Sequence, residues 1–155
     1  MTGSTTGALA GRCLCAMVRY SVRPGFRLRP YACHCHDCQR RTGSAFGIQL
    51  GVAEADLSVE GELIEGRHVQ PSGAVAGIFA CSACLTRLWT TNDHRPGIVN
   101  LRAGTLDNSP EIEPAAHLWV RSKQPWIRLP EGAIALDTQP QSPAEWMQLL
   151  GQPEQ

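Results

Sequence analysis

Apolar and polar residues alternate over residues 15–22, and Arg23-Pro24-Gly25 closes the run, which predicts a strand and a turn. Residues 26–29 predict a second strand that delivers the chain through Pro30 to a cysteine-rich segment. Short β-prone runs follow at residues 46–52, 56–60, 62–69 and 75–79, separated by glycines and by the turn Gln70-Pro71-Ser72-Gly73. The pattern continues at 87–91, 98–102 and 116–120. Short strands at this spacing predict a mainly β domain. Helical signals are few. Residues 38–42 predict one turn, ended by Gly43. Near the end, Ser142 is a good N-cap, Pro143 suits the first helical position and Glu145 completes a capping box. Trp146, Leu149 and Leu150 then give an apolar face able to dock a short C-terminal helix on the sheet.

Composition narrows the class. A chain of 155 residues with 43% hydrophobic and 18% charged residues can bury its own core and is not disordered. No internal repeat divides it, so the expectation is a flexible tail over 1–8, one domain over 9–137 and an extension carrying the helix over 138–155. The tail has neither a basic nor an apolar segment of the kind found in signal peptides, and no run reaches the ~18 apolar residues that span a bilayer. These features predict a cytoplasmic protein without a membrane partner.

Seven cysteines change the picture, because all fall into clusters: Cys13 and Cys15, Cys33, Cys35 and Cys38, and Cys81 and Cys84. In a reducing compartment such spacings point to metal more than to disulfides, and an odd count does not close a disulfide framework. Cys13, Cys15, Cys81 and Cys84 make one four-thiolate set of the kind that holds a structural zinc. A Cys-x-x-Cys turn aims both sulfurs at one point, and Cys-x-Cys does so if extended, where alternate side chains share a face. Cys33, Cys35 and Cys38 remain as a three-thiolate set, and three protein ligands plus an exchangeable position describe a catalytic zinc. Alternation turns His34 and His36 away from these sulfurs. Two arrangements stay open: an exchangeable zinc, or a second structural site closed by His36, Asp37 or a terminal group. Seven thiolates and two Zn²⁺ bring the formal charge from zero to −3, which lacks the basic footprint of a nucleic-acid binder, and no basic run or patch is visible.

The motifs resemble those of a known family. Cys13-Leu14-Cys15-Ala16-Met17-Val18-Arg19-Tyr20 is similar to its opening signature, and Cys33-His34-Cys35-His36-Asp37-Cys38-Gln39-Arg40 to its central one. Phe79 to Cys84 with Leu88-Trp89, Ala103 to Asp107, and His117-Leu118-Trp119-Val120 with Lys123, Pro125 and Trp126 resemble the later ones. This is the glutathione-dependent formaldehyde-activating enzyme family, also called the CENP-V/GFA domain, and the likeness runs from about Gly11 to Pro130. It implies a mainly β, Mss4-like fold of curved antiparallel sheets with zinc knuckles, plus the short C-terminal helix. It also implies a structural zinc on Cys13, Cys15, Cys81 and Cys84 and a catalytic zinc on Cys33, Cys35 and Cys38. The activity implied is that of a carbon–sulfur lyase joining a thiol such as glutathione to a small aldehyde such as formaldehyde. A zinc-stabilised binding module on the same fold is the alternative, since folds are reused.

Arg40 and Arg41 follow the open cluster and are the candidates to hold the carboxylates of such a thiol. Phe46 and Trp119 are aromatic candidates for the pocket or for the core. His117 reads as a buried, hydrogen-bonded histidine, and Asp107 as a turn former. The family usually has glycine where this chain has Ala16 and Leu85. A side chain at positive φ costs about 1–3 kcal/mol, so the turn near Leu85 is expected to depart from the family's geometry.

Overall fold

The computed structural model describes residues 7–151; most of the expected tail, and residues 152–155, lie outside the described residues. In chain order the elements are β1 (Leu9–Arg12), β2 (Arg19–Val22), β3 (Tyr31–Cys33), α1 (His36–Thr42), β4 (Gly47–Ala53), β5 (Leu57–Glu60) and β6 (Leu63–Val69). Then come β7 (Val75–Cys81), β8 (Arg87–Asn92), β9 (Ile98–Arg102), β10 (Ala116–Leu118), β11 (Ile134–Ala135) and α2 (Pro143–Leu150). Among the described residues no helix is long and apolar enough to cross a membrane.

The strands form two curved sheets. One is three-stranded, β1-β2-β5; the other runs β11-β10-β3-β4-β9-β8-β7-β6. Pairing is antiparallel except at one edge, where β10 lies parallel to both β3 and β11. The expected mainly β class with a short C-terminal helix is what the chain adopts, and β4 to β10 lie within two residues of the predicted runs.

Three local expectations need correction. Residues 15–18 are not strand: Cys13 N donates to Val18 O and Ala16 N to Cys13 O, folding the stretch into a tight turn before β2. Residues 26–29 make only single bridges, Arg27 to Val52 and Leu28 to Gly151, because the flanking Pro24 and Pro30 cannot donate to a ladder. The run at 116–120 stops at Leu118, since Trp119 takes φ 60°. Three short strands were not predicted: β1, four residues that pair with β2 through Leu9–Val22 and Arg12–Arg19, and β3 and β11, of three and two residues.

The core has two parts. The first gathers buried Val18, Tyr20, Leu50, Leu88, Trp89 and Leu101 from both sheets, with Tyr20 edge-on to Trp89 at 6.0 Å. The second gathers Leu28, Tyr31, Leu118, Trp146 and Leu150 under α2. Ser142 Oγ caps α2 by accepting from Glu145 N at 3.2 Å, and the helix turns Trp146 and Leu150 inward as its spacing predicts. Fully burying Leu150 alone is worth roughly 1.5–3 kcal/mol, enough to seat so short a helix. Cys33 and Cys38 belong to this second core, so α2 packs next to the three-cysteine cluster.

Candidate metal centres and the cleft

The four-cysteine set forms from two similar turns. In the first, Val18 N donates to Cys13 Sγ at 3.3 Å; in the second, Ala83 N and Cys84 N donate to Cys81 Sγ at 3.4 and 3.5 Å. Leu14 N reaches across to Thr86 Oγ1 at 3.1 Å and staples one turn to the other. Cys13 and Cys15 therefore share their target through a turn, not through the extended alternation expected. Ala16 has φ 64° and Leu85 φ 63°, so both knuckles hold a left-handed residue without glycine.

The four sulfurs lie within 4.8 Å of one another, with Cys13–Cys15 at 3.5 Å and Cys15–Cys81 at 3.8 Å. Tetrahedral Zn–S bonds of about 2.3 Å place sulfurs about 3.8 Å apart, so this set fits a zinc ion. The Thr86 hydroxyl, 3.1 Å from Cys84 Sγ, and nearby amides hold the Cys84 thiol down at about 5, which readies it as a thiolate.

The three-cysteine set comes from one short segment. Cys33 ends β3, Cys35 is the N-cap of α1, and Cys38 is buried in its first turn. Cys35 Sγ accepts from Cys38 N at 3.3 Å, the bond that a Ser or Asp cap makes elsewhere. The three sulfurs also lie within 4.8 Å of one another, and among the described residues no fourth His, Cys, Asp or Glu ligand atom joins them. Mutual S–H donation from Cys33 and then Cys38 pulls Cys35 down to about 2, while Cys33 is pushed up strongly by the same two neighbours. Cys38 ends up at about 11; the Cys33 contact lowers it, but Cys35 and burial raise it further. The first thiolate forms readily and the others resist adding like charge. A soft divalent cation removes that resistance, so this donor set also fits zinc.

Around the sulfurs a polar shell is built from β3, β4 and the β3–α1 turn. Gln49 Nε2 approaches Cys38 Sγ at 3.8 Å, and Tyr31 OH donates to Gln49 Oε1 at 3.2 Å. Gln39 Nε2 donates to His34 O and Ser122 O, both at 2.9 Å, holding the turn to the chain after β10. His34 points away from the sulfurs, fully buried, with Nε2 3.0 Å from His117 Nδ1 and its ring 4.9 Å from Phe46. Burial, helped by His117 and Lys123, pushes His34 down to about 4, and burial lowers His117 too. Both rings are neutral at neutral pH, so His34 and His117 act as a buried link between β3 and β10. His36 is exposed.

A cleft of about 380 Å³ opens from Cys33, Cys35 and Cys38. Asp37, Arg41 and Trp119 line it, whereas Arg40 is exposed and lies outside its lining. Phe46 instead faces a second hollow of about 470 Å³, shared by Arg41, Arg87 and Arg102. Arg95, Asn100 and Arg102, which the sequence reading did not single out, line the cleft as well. Their only sequence signal is polarity in or beside apolar strands: Asn100 interrupts Ile98-Val99 and Leu101, and Gln49 precedes Leu50.

Three comparisons place the molecule. A family model described as "Glutathione-dependent formaldehyde-activating enzyme" matches residues 8–122. No curated protein is a significant match. A crystal structure of a Rhodobacter sphaeroides protein is similar in fold, with TM-score 0.50 and 21% identity, covering 63% of this chain and 87% of that one. With the family model covering most of the chain and both cysteine clusters in place, the chain belongs to the glutathione-dependent formaldehyde-activating enzyme family.

Proposed function

We propose that the protein is a zinc-dependent, carbon–sulfur lyase-type enzyme that forms or cleaves the adduct of a small aldehyde with a thiol such as glutathione. The observation that carries this reading is the convergence of Cys33, Cys35 and Cys38, without a fourth ligand atom among the described residues, at the wall of a cleft. Zinc held by these three sulfurs supplies, when bound, a thiolate at neutral pH and polarisation of an aldehyde oxygen.

The chain's own residues do the rest. Arg41 lines the cleft close to the sulfurs and pairs with a carboxylate of the thiol substrate. Gln49, fixed by Tyr31, donates toward Cys38 and so keeps its lone pairs directed and its charge dispersed. Trp119 flanks the opening, its Nε1 donating to Gln139 Oε1 at 3.1 Å, and excludes water from one side. In the forward direction the substrate sulfur attacks the carbonyl carbon. The C–O π pair moves to oxygen, which takes up the proton lost by the thiol, and an S-hydroxymethyl product forms; cleavage runs the same path in reverse.

Cobalt substitution tests this. Glutathione should increase thiolate-to-cobalt absorption, and formaldehyde consumption should exceed the uncatalysed rate. An unchanged spectrum at millimolar thiol, together with an uncatalysed rate, would leave a zinc-stabilised binding module in place of an enzyme.

A further inference from the structure

The cleft continues past the sulfurs into a region where three buried polar atoms lack a partner. Arg95 Nη1, Arg102 Nη1 and Asn100 Oδ1 are buried and without a hydrogen-bond partner. Asn100 is only 4% exposed, and all three residues line the same cleft. Two orphaned guanidinium nitrogens seek an acceptor, and an orphaned amide oxygen seeks a donor. Buried polar groups cost about 1–3 kcal/mol each when left unmade, so three together mark a site completed by a ligand.

Arg95 is held in place. Its guanidinium carbon sits 4.5 Å over the ring of Trp146, and its backbone N donates to Asn92 O at 2.9 Å. Trp146 belongs to α2, and Gln139, Gln141 and Ser142 complete that wall of the cleft. This wall lies beyond residue 122, where the family match ends. Among the described residues Asp37, beside the ligand cysteines in the chain, is the only carboxylate lining the cleft, and neither Arg95 nor Arg102 has an ion pair.

We infer that Arg95 and Asn100, fixed by the C-terminal wall and joined by Arg102, are specificity-determining residues that read a carboxylate beside an N–H group on the thiol substrate. The two guanidinium groups donate to the carboxylate from fixed forks, and Asn100 Oδ1 accepts from an ammonium or amide N–H. The inference rests on the proposed thiol chemistry only for the identity of the ligand. The subsite itself can be probed with a compound that has no free sulfur.

The probe is S-methylglutathione, compared with its diester, which lacks carboxylates. Calorimetric titration uses the full chain with both zincs, and retention of zinc and of thermal unfolding certifies each variant as folded. Wild type should bind the acid on the order of tenfold or more tighter than the diester, as one or two charge-assisted hydrogen bonds allow. Arg95→Gln should lose most of that preference, leaving the part that Arg41 and Arg102 hold. Arg95→Lys should keep part of it, because the charge stays and the fork is lost. Asn100→Leu should weaken the acid and the diester alike, because both retain N–H donors. Equal binding of acid and diester by wild type, or a preference that Arg95→Gln leaves undiminished, overturns the inference. If free glutathione leaves the cobalt spectrum unchanged while the S-methyl compound is still discriminated, the thiol reading fails and the subsite stands.

Discussion

The two cysteine centres place the same donor atom in opposite settings. Cys13 and Cys15 hang between β1 and β2 of the small sheet, whereas Cys81 and Cys84 hang between β7 and β8 of the large one. Cys15 and Cys81 are 66 residues apart, so a metal there closes a long loop and clamps two sheets. Cys33, Cys35 and Cys38 sit within one strand-to-helix turn and join nothing that the backbone has not already joined. In the first centre Cys13 and Cys81 are buried and accept from backbone amides while Cys15 is exposed; the second faces a cleft lined by arginines. Ligands that bridge distant elements contribute to folding, and ligands that are local are free to serve chemistry.

The strongest way to break this comparison is to remove one sulfur from each centre. Structural zinc contributes on the order of 10 kcal/mol to folding in small domains, comparable to a typical domain's whole stability. Cys81→Ser should therefore fail to give soluble, cooperatively unfolding protein. Cys35→Ser should fold with one zinc, retain the near-ultraviolet dichroism of Trp89 in the first core, and lose thiol-dependent chemistry. If Cys35→Ser unfolded as completely as Cys81→Ser, the division of roles would be wrong.

A smaller effect follows from metal removal. Under full supplementation the protein should carry two zinc ions, and a mild chelator should extract one, from Cys33, Cys35 and Cys38. Alkylation followed by peptide mapping then finds those three thiols labelled and Cys13 and Cys81 protected. Labelling of Cys13 before Cys35 would reverse the assignment. Because each bound zinc requires thiolates where the free cluster holds protons on Cys33 and Cys38, extraction should be accompanied by proton uptake.

Gln49 sharpens the comparison further, since it brings the open centre a side-chain amide donor that a buried tyrosine holds in place. Gln49→Leu leaves the buried Tyr31 hydroxyl without its acceptor and Cys38 without its donor. The expected loss is about 1–3 kcal/mol by denaturant titration, together with a shifted cobalt–thiolate band. An unchanged band would mean that Gln49 serves packing alone.

Both centres were legible in the sequence because cysteine clustering is a statement about residue type and spacing. The strands β4 to β10 were legible for the same reason, as alternation survives whatever the sheet does. What escaped was conformation and convergence. Nothing in Ala16-Met17-Val18 announces that Ala16 takes φ 64°, so a turn was read as strand. Arg41, Arg87 and Arg102 are far apart in the chain, yet the fold gathers them around one hollow, a basic cluster that no linear run displays. Arg95 and Asn100 likewise acquire meaning only once Trp146 and β9 bring them to the cleft.

The smallest expected effect concerns the strain stored at the knuckles. Ala16 and Leu85 both occupy the left-handed region, where a side chain costs about 1–3 kcal/mol relative to glycine. Glycine gives back roughly 0.5–1 kcal/mol through the greater freedom of the unfolded chain. Leu85 is 62% exposed, so little packing is lost on truncation. Leu85→Gly should therefore stabilise by about 1 kcal/mol and raise Tm by roughly 2–4 °C, with zinc content unchanged. Trp119, at φ 60° beside the open centre, provides the contrast. Trp119→Gly relieves the same backbone strain but removes the bond to Gln139, the stacking of Arg121 at 4.9 Å and one wall of the cleft. It should weaken thiol binding without raising Tm. If Leu85→Gly instead lowered Tm or loosened the four-cysteine zinc, the leucine would be holding the closed knuckle in place, and the left-handed turn would not be a cost at all.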